Sequence, residues 1–377
     1  MRPASDAEKA RLNETFAALC RIPSPFGHER ACSDHVAAEL RRMGIESRED
    51  GAGPAAGAEC GNLYARVGRA DAPRTVLLCA HLDTVSVEGA IEPVLVDGGW
   101  ENAHDAILGA DNKAAVAVML EVARRVSVEG APVAVELLFT VSEENALAGA
   151  KEVDRAALTA DFGYVFDHAS PIGEVIVASP TYYRIGADFH GRAAHAGIRP
   201  EDGRSAIVAA AHAIGAMPLG RLDAETTTNV GSIHGGVGST NVVAERCTLL
   251  AETRSLDPEK AEASVARLVD ALSDGAAFAE CDVDLSVEKL FTGYRVKPSS
   301  PAVVAAEAAL QTCGYDPRRI TTGGGSDANA LEVLGLPCVN LANGTERNHE
   351  PTERVSVAAL EGMLDVALAL LDEAAAV

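Results

Sequence analysis

The feature that most constrains the fold is an alternation of short apolar runs with helical stretches. "TVLLCAHLD", "VAVELLFTVS" and "FGYVFDH" are typical of buried strands, and the segments around them carry apolar residues at helical spacing. Strands that alternate with helices favour a mainly parallel sheet covered on both faces. The pattern resumes near residue 297 with a helix, a glycine-rich loop, the strand "LPCVNLA" and a C-terminal helix. We therefore expect a three-layer α/β/α domain made of residues 1–178 and 297–377.

Between residues 179 and 296 the pattern becomes that of antiparallel strands. "TYYRIGADFHGR" alternates polar and apolar residues, and two helices, about 202–217 and 258–273, separate about four strands. This composition predicts a smaller α+β domain inserted into the larger one. A chain of 377 residues is also longer than a single hydrophobic core usually supports, which favours two domains.

Charge and composition exclude several classes of partner. The formal net charge of −23 repels nucleic acid. The eight cysteines form no C-x-x-C pair, so neither a thiolate zinc site nor a redox motif is predicted. The N-terminal segment lacks an apolar signal core, and no apolar run reaches the roughly 20 residues of a membrane helix. We expect a cytoplasmic protein that binds neither nucleic acid nor membrane.

Acidic and histidine side chains stand where the predicted strands end. His81 ends one strand, Glu143 and Glu144 follow the next, and Asp167 ends a third. In such sheets, ligands bind at the carboxyl ends of the strands. The placement therefore predicts one polar site at this edge.

His81 and Asp83 lie two residues apart, so on a strand their side chains share a face. Asp83 can then accept one ring N–H and orient the imidazole as a metal ligand. Two polar residues at an ordinary strand end are an equally good interpretation of this motif alone.

The other motifs also have plainer interpretations when each is taken alone. Asp111 precedes a helix, where aspartate is a common N-cap, although a carboxylate there can also bridge two cations. Thr140 and Glu143 have the spacing of a capping box. His349, as a lone histidine, fits a structural role.

Taken together, the residues contain two histidines, several carboxylates and no thiolate. This donor set suits a pair of Zn²⁺, Mn²⁺ or Co²⁺ ions. Two such ions activate a shared water and polarise a carbonyl, and a free carboxylate beside them serves as general base. We interpret Glu143 as the base and Glu144 as a ligand. The complete set is His81, Asp111, Glu143, Glu144, Asp167 and His349.

The ordered motifs "HLDTV", "GADNK", "SEEN", "FDH", "GRAAHAG", "TNVV", "GGGSDA" and "NHEP" resemble a known family. It is the family of dinuclear zinc peptidases and amidohydrolases that includes peptidase T, aminoacylase and carboxypeptidase G. The peptidase T-like branch is the most similar. The resemblance extends over about residues 10–370.

The resemblance implies a role for each matching residue. It implies that one metal is bound by His81 and Asp167, with Asp83 orienting the histidine. It implies that Asp111 bridges the two metals and that the peptide bond after it is cis. Glu144 and His349 would bind the second metal, and Glu143 would be the general base.

The resemblance also implies that 179–296 is a lid and dimerisation domain, and that the protein is a homodimer. His195 would stabilise the oxyanion, although by itself it fits a surface histidine. Asn241 and Arg254 would contact the main chain or terminal carboxylate of the substrate. Asp327, in the glycine-rich turn, fits either a substrate contact or a helix cap.

The implied activity is that of an aminopeptidase or tripeptidase acting on short peptides. An aspartate at position 167 is more typical of aminopeptidases and acylases than of carboxypeptidases in this family. Some relatives carry an arginine before the glycine turn, where this chain has Thr322 and Gly323. The alternatives are an amidohydrolase of N-acyl amino acids and a non-catalytic protein that binds metals or peptides.

Overall fold

A computed structural model of the chain describes residues 1–86 and 88–377. The chain divides into two compact units. The first consists of Met1–Ala178 and Arg295–Val377, and the second of Ser179–Tyr294.

The helices and strands follow one another in an order close to the predicted alternation. Up to residue 179 they are α1 (Asp6–Cys20), α2 (Arg30–Arg42), β1 (Ser47–Glu49), α3 (Gly53–Ala56), β2 (Leu63–Val67), β3 (Thr75–His81), β4 (Pro93–Val96), β5 (Gly99–Asn102), α4 (Ala110–Glu129), β6 (Ala134–Thr140), α5 (Ala148–Lys151), β7 (Phe162–His168) and β8 (Glu174–Ser179).

Seven strands and helices follow up to the end of the second unit, and an eighth spans its boundary. They are β9 (Thr181–His190), α6 (Ala206–Ala216), β10 (Gly220–Arg221), β11 (Thr226–Gly235), β12 (Arg246–Ser255), α7 (Pro258–Phe278), β13 (Asp282–Phe291) and β14 (Tyr294–Arg295).

The rest of the first unit contains three helices and four short strands. They are α8 (Pro301–Thr312), β15 (Arg318–Thr321), α9 (Asp327–Val333), β16 (Cys338–Ala342), β17 (Thr345–Glu346), β18 (Arg354–Ser356) and α10 (Val357–Glu373). Among residues 1–86 and 88–377, no helix combines the length and apolar character that a membrane crossing needs.

The main sheet of the first unit is mixed, with a parallel centre. Its order is β1-β2-β6-β3-β7-β16-β8, and β15 also pairs with β8. β6, β3, β7 and β16 are mutually parallel, whereas β1, β2 and β8 join through antiparallel pairs. All residues of β3 and β6 are buried. The predicted α/β fold is confirmed, and the antiparallel strands on both sides were missed because an apolar run does not reveal strand direction.

A second sheet of the first unit was not predicted. It is antiparallel, with the order β17-β18-β5-β4. Its strands are two to four residues long, too short for a period-2 pattern to stand out. This sheet anchors the segment that follows His349, because β18 pairs with β5.

The second unit is the predicted α+β layer. Its antiparallel sheet has the order β10-β11-β12-β9-β13. The buried core includes Ile185, Phe189, Leu249 and Leu268, from β9, β12 and α7. Two predicted boundaries differ from the structure, because α6 begins at residue 206 rather than about 202 and α7 ends at residue 278 rather than about 273.

Helix α1 is joined to α4 by a buried ion pair. Glu8 accepts the backbone N–H of Ser5 at 2.8 Å in a capping box, and its Oε2 also accepts from Arg125 at 2.7 Å. The Arg125 side chain is 1 % exposed. Burial raises the pKa of Glu8, but hydrogen bonds from Arg125, Arg2 and Ser5 outweigh it and hold that pKa well below its usual range.

Replacing Glu8 with alanine is expected to reduce the free energy of unfolding by about 3 kcal/mol at pH 7, because the buried Arg125 would keep only main-chain oxygens and the more distant carboxylate of Glu129, 3.9 Å away. Since the pKa of Glu8 is lowered on folding, its contribution is complete above the ordinary carboxyl range and is lost as the pH falls through the lowered value. The difference between the two proteins should therefore shrink in acid.

The single tryptophan provides the measurement. Trp100 donates to Asn13 of α1 at 2.7 Å, and its ring lies 6.1 Å from that of Phe16, so its fluorescence in urea titrations reports α1. Glu14→Ala, an exposed change on the same helix, should alter stability by less than about 0.5 kcal/mol. An equally small effect of Glu8→Ala would contradict the buried-pair interpretation.

Candidate metal centre

Three neighbouring strands of the main sheet end at one edge and bring polar residues together there. β3 ends at His81, β6 ends at Thr140 just before Glu143 and Glu144, and Asp167 is next to the last residue of β7. The strands are adjacent and parallel in the order β6-β3-β7, so their carboxyl ends lie side by side. This is the edge at which α/β sheets bind ligands.

The imidazole of His81 faces two carboxylates. Its Nδ1 lies 2.9 Å from the main-chain oxygen of Asp83 and donates to it. Its Nε2 lies 3.2 Å from Oδ1 of Asp111 and 3.6 Å from Oδ1 of Asp167. Burial disfavours the charged ring, but these aspartates outweigh burial and raise the pKa of His81 well above its usual value. Nε2 is therefore placed among anionic oxygens, as in a metal site.

His349 and Glu144 form a second group on the other oxygen of Asp111. Nε2 of His349 lies 2.8 Å from Oε1 of Glu144 and 3.3 Å from Oδ2 of Asp111. Hydrogen bonds to Asp111 and Glu144 raise the pKa of His349 to about 10. Asp111 thus presents one oxygen to each histidine. The peptide bond between Asp111 and Asn112 is cis.

The spacing of these atoms fits divalent metal ions. Donors that bind one Zn²⁺ tetrahedrally at about 2.0–2.1 Å lie roughly 3.3 Å from one another. The four separations around the two histidines are 2.8–3.6 Å. Within the described ranges, three sets of ligand atoms lie within 4.8 Å of one another: His81 with Asp111 and Asp167, Asp111 with Glu144 and His349, and His81 with Glu143 and Glu144.

Glu143 lies beside the two sets that share Asp111 and belongs to neither. Its side chain is buried. Burial, followed by the negative charge of Asp167, raises the pKa of Glu143 well above its usual value. A carboxyl group with a raised pKa can take up and release a proton near neutral pH, as a general base and acid must.

The carboxylate of Asp83 supports the turn that carries Glu143 and Glu144. Its two oxygens accept the backbone N–H groups of these glutamates, each at 3.0 Å. Oδ1 of Asp83 lies 3.4 Å from Nδ1 of His81, whereas the main-chain oxygen of Asp83 lies 2.9 Å from the same nitrogen. Asp83 therefore contacts the ring of His81 through both its carboxylate and its main-chain oxygen, and its carboxylate also holds the turn.

The side chain of Asp327 is buried and contacts Thr140, the last residue of β6. Its Oδ2 accepts the Thr140 hydroxyl at 2.5 Å, so Thr140 does not form the alternative capping box with Glu143. Burial raises the pKa of Asp327 to about 6. The predicted substrate contact is not favoured, because a residue that is 1 % exposed presents almost no surface to a ligand.

Two buried carboxylates around the site were missed from the sequence. Glu29 accepts the backbone N–H of Ser142 at 3.0 Å, next to Glu143. Glu353 accepts the backbone N–H of Asp111 at 2.9 Å. Glu353 could have been noticed in "NHEPTERV", four residues after His349. Nothing near Glu29 in the sequence indicates its contact.

His195 and Asn241 lie on two paired segments of the second unit. The N–H of Ala196 donates to the main-chain oxygen of Asn241 at 2.9 Å, so the two predicted residues are neighbours. Nδ1 of His195 accepts the N–H of Gly197 at 3.2 Å. In a neutral imidazole the proton then resides on Nε2, which is free to donate.

Arg254 lies on β12 in the same unit. Its Nε donates to Oε1 of Glu252 at 3.1 Å, and its guanidinium lies 4.0 Å from the ring centroid of Tyr182. The guanidinium is thus held between the carboxylate of Glu252 and the ring of Tyr182.

Two models of protein families match the chain. The one described as a peptidase dimerisation domain matches residues 181–279, within the second unit. The one described as peptidase family M28 matches residues 62–168, which include β3, β6 and β7.

Three relatives match nearly the whole chain. Aminopeptidase PepT from Bacillus cereus is 36 % identical, with 97 % of this chain and 99 % of that chain covered and a TM-score of 0.88. A tripeptidase from Staphylococcus aureus is 33 % identical, with 98 % and 99 % covered and a TM-score of 0.92. The uncharacterised protein YqjE of Bacillus subtilis is 36 % identical over 366 residues, which are 97 % of this chain and 98 % of that protein.

A parallel-centred α/β unit with carboxylate–histidine groups at its strand ends, in a chain that also carries a peptidase dimerisation domain, defines a metal-dependent peptidase. The chain belongs to the peptidase T-like family of metallopeptidases. The resemblance carried by the sequence motifs is therefore confirmed.

Proposed function

We propose that the protein is a dinuclear metal-dependent aminopeptidase that removes the first residue of short peptides with a free N-terminus. The observation that chiefly supports this is the position of Asp111, with one oxygen toward His81 and the other toward His349. The non-bridging carboxyl group of Glu143 lies beside them. The names of two solved relatives, an aminopeptidase and a tripeptidase, support the substrate class.

The metals we propose are two Zn²⁺ ions, with Mn²⁺ or Co²⁺ as alternatives. His81 and Asp167 would hold one ion, Glu144 and His349 the other, and Asp111 both. Ions bound there would lower the pKa of a nearby water and polarise the carbonyl of the scissile peptide.

The protein's own residues would then move protons and stabilise charge. Glu143 takes a proton from the attacking water and returns it to the nitrogen of the departing amine, so that its own charge is restored. Nε2 of His195 donates a hydrogen bond to the carbonyl oxygen as negative charge develops on it.

Substrate contacts and assembly belong to the same proposal. Asn241 and Arg254 would contact the main chain or the terminal carboxylate of the peptide. The match of the second unit to a dimerisation domain supports a homodimer, in which His195 would serve the partner's site. A cytoplasmic location stays a prediction from the sequence.

The test is product mass spectrometry on a free tripeptide and its N-acetylated counterpart, incubated together with metal-loaded protein. We expect loss of the first residue from the free peptide alone, abolished by a chelator and absent from an identically purified Glu143→Ala protein. Release of acetate from the blocked peptide would identify an N-acyl-amino-acid amidohydrolase instead. If neither peptide changes while two ions stay bound, the proposal is wrong.

A further inference from the structure

Glu353 makes an unusual set of contacts with the main chain before helix α4. Its Oε2 accepts the N–H groups of Leu108 at 2.9 Å and Gly109 at 2.7 Å, and its Oε1 accepts that of Asp111 at 2.9 Å. Glu353 is 1 % exposed. Three hydrogen bonds to one buried side chain fix the position of the main chain between residues 108 and 111.

These contacts hold the main chain at the start of α4, where Asp111 and Asn112 depart from helical φ and ψ. Buried N–H groups outside a regular helix or strand need an acceptor from elsewhere in the protein. Gly109, at the N-cap, has no side chain, and the carboxylate of Asp111 is turned toward the two histidines. Glu353 supplies the missing acceptor from a segment more than 240 residues away.

The same side chain connects two metal ligands that are remote in sequence. Glu353 follows His349 by four residues, and the strand that begins at Arg354 is anchored by pairing with β5. A second link runs in parallel, because Nδ2 of Asn348 donates to Oδ2 of Asp111 at 2.9 Å. The segment 348–353 is thus tied to both the main chain and the carboxylate of Asp111.

We propose that Glu353 is a positioning residue that arranges Asp111 and His349 relative to each other before metal ions bind, and thereby sets metal affinity. The inference rests on the dinuclear site of the proposed function. The position formed by Asp111, Glu144 and His349 takes two ligands from the segments that Glu353 joins. The position formed by His81, Asp111 and Asp167 takes only one. Loss of Glu353 should therefore weaken the first of these positions more than the second.

Glu353→Gln keeps the size of the side chain but replaces one acceptor oxygen with an NH₂ group that faces N–H donors. Loss of such a supporting contact typically costs about 10- to 100-fold in metal affinity. We expect one of the two Zn²⁺ affinities to fall by that amount and the other to fall less. The measurement is a titration of metal-free protein with Zn²⁺ against a chromophoric chelator, without substrate.

The matched control is Glu136→Gln. Glu136 is also a buried carboxylate that accepts main-chain N–H groups, from Thr159 at 3.0 Å and Ala160 at 3.1 Å, but it lies on β6 four residues before the strand ends. The Glu136→Gln variant should be less stable, as measured by Trp100 fluorescence, and should bind both Zn²⁺ ions with unchanged affinity. If it weakens Zn²⁺ binding as much as Glu353→Gln does, the effect is one of general stability and the inference fails.

Wild-type affinity for both ions in Glu353→Gln would also overturn the inference. If that variant does not fold, Glu353→Asp keeps the charge but is one methylene too short to reach all three N–H groups. The same selective loss in this variant supports the proposal, and unchanged binding refutes it. A wild-type protein that binds two ions but cleaves no peptide would refute the proposed function alone, because affinity is measured without turnover.

Discussion

Replacing Glu143 with alanine should lower kcat on a short peptide by about 10²–10⁴-fold, the usual contribution of a positioned general base, while both metal ions remain bound. Glu143 belongs to neither of the ligand sets that share Asp111, so its removal takes no ligand from them. Its buried carboxyl group, with a raised pKa, is the nearby group able to accept a proton from water and pass it on. Steady-state kinetics and metal analysis of one preparation provide both readouts.

The neighbouring glutamate is a matched control for this variant. Glu144 lies in the same turn, and its Oε1 is 2.8 Å from Nε2 of His349. Glu144→Ala should therefore lose activity through loss of one ion, and excess metal should restore part of it. Metal must not restore Glu143→Ala. Near-normal turnover by Glu143→Ala, or loss of an ion from it, would reject Glu143 as the base.

The second large effect is expected for Asp111→Ala, which should bind neither ion tightly. Asp111 is the residue common to the two sets that contain His81 with Asp167 and His349 with Glu144. Removing it takes a ligand from both positions at once and leaves the two histidines with one carboxylate each. Activity should fall with the metal content. Elemental analysis after dialysis should show a change from two ions per chain toward none.

Two further variants make the result specific. Asp167→Asn should affect only the position that contains His81, because Asp167 belongs to one set. Asp105→Ala removes an exposed carboxylate a few residues before Asp111 and should leave both ions in place. If Asp111→Ala kept one tightly bound ion, Asp111 would be a ligand of a single metal and not a bridge.

The strand ends were predictable because their signals are local. The apolar runs before His81, Glu143 and Asp167 identify buried strands, and chemistry at the exits of parallel strands follows from the fold class. Residues that act through a contact with a distant segment carry no such signal. Glu29 resembles a surface glutamate in the sequence, and Glu353 is marked only by its position four residues after His349. Only the folded chain shows that each accepts N–H groups at or next to a site residue.

The motif "GADNK" alone did not decide the role of Asp111. An aspartate before a helix is most simply a cap, yet here the carboxylate of Asp111 is turned toward two histidines, and its own N–H donates to Glu353. Asp327 is the opposite case, because a residue considered as a substrate contact has a structural position. Its glycine-rich turn suggested contact with a substrate, but α9 places the side chain under β6, where it accepts a hydrogen bond from Thr140.

By itself, the sequence determined the α/β class and the identity of the histidines and carboxylates at the strand ends. Both depend on periodicity and residue type, which short segments express on their own. The tertiary structure alone decided which oxygen of Asp111 faces His81 and which faces His349, and which buried carboxylates hold the surrounding main chain. Those choices depend on contacts between segments 30 to 245 residues apart, and such contacts exist only once the sheet and helices have packed.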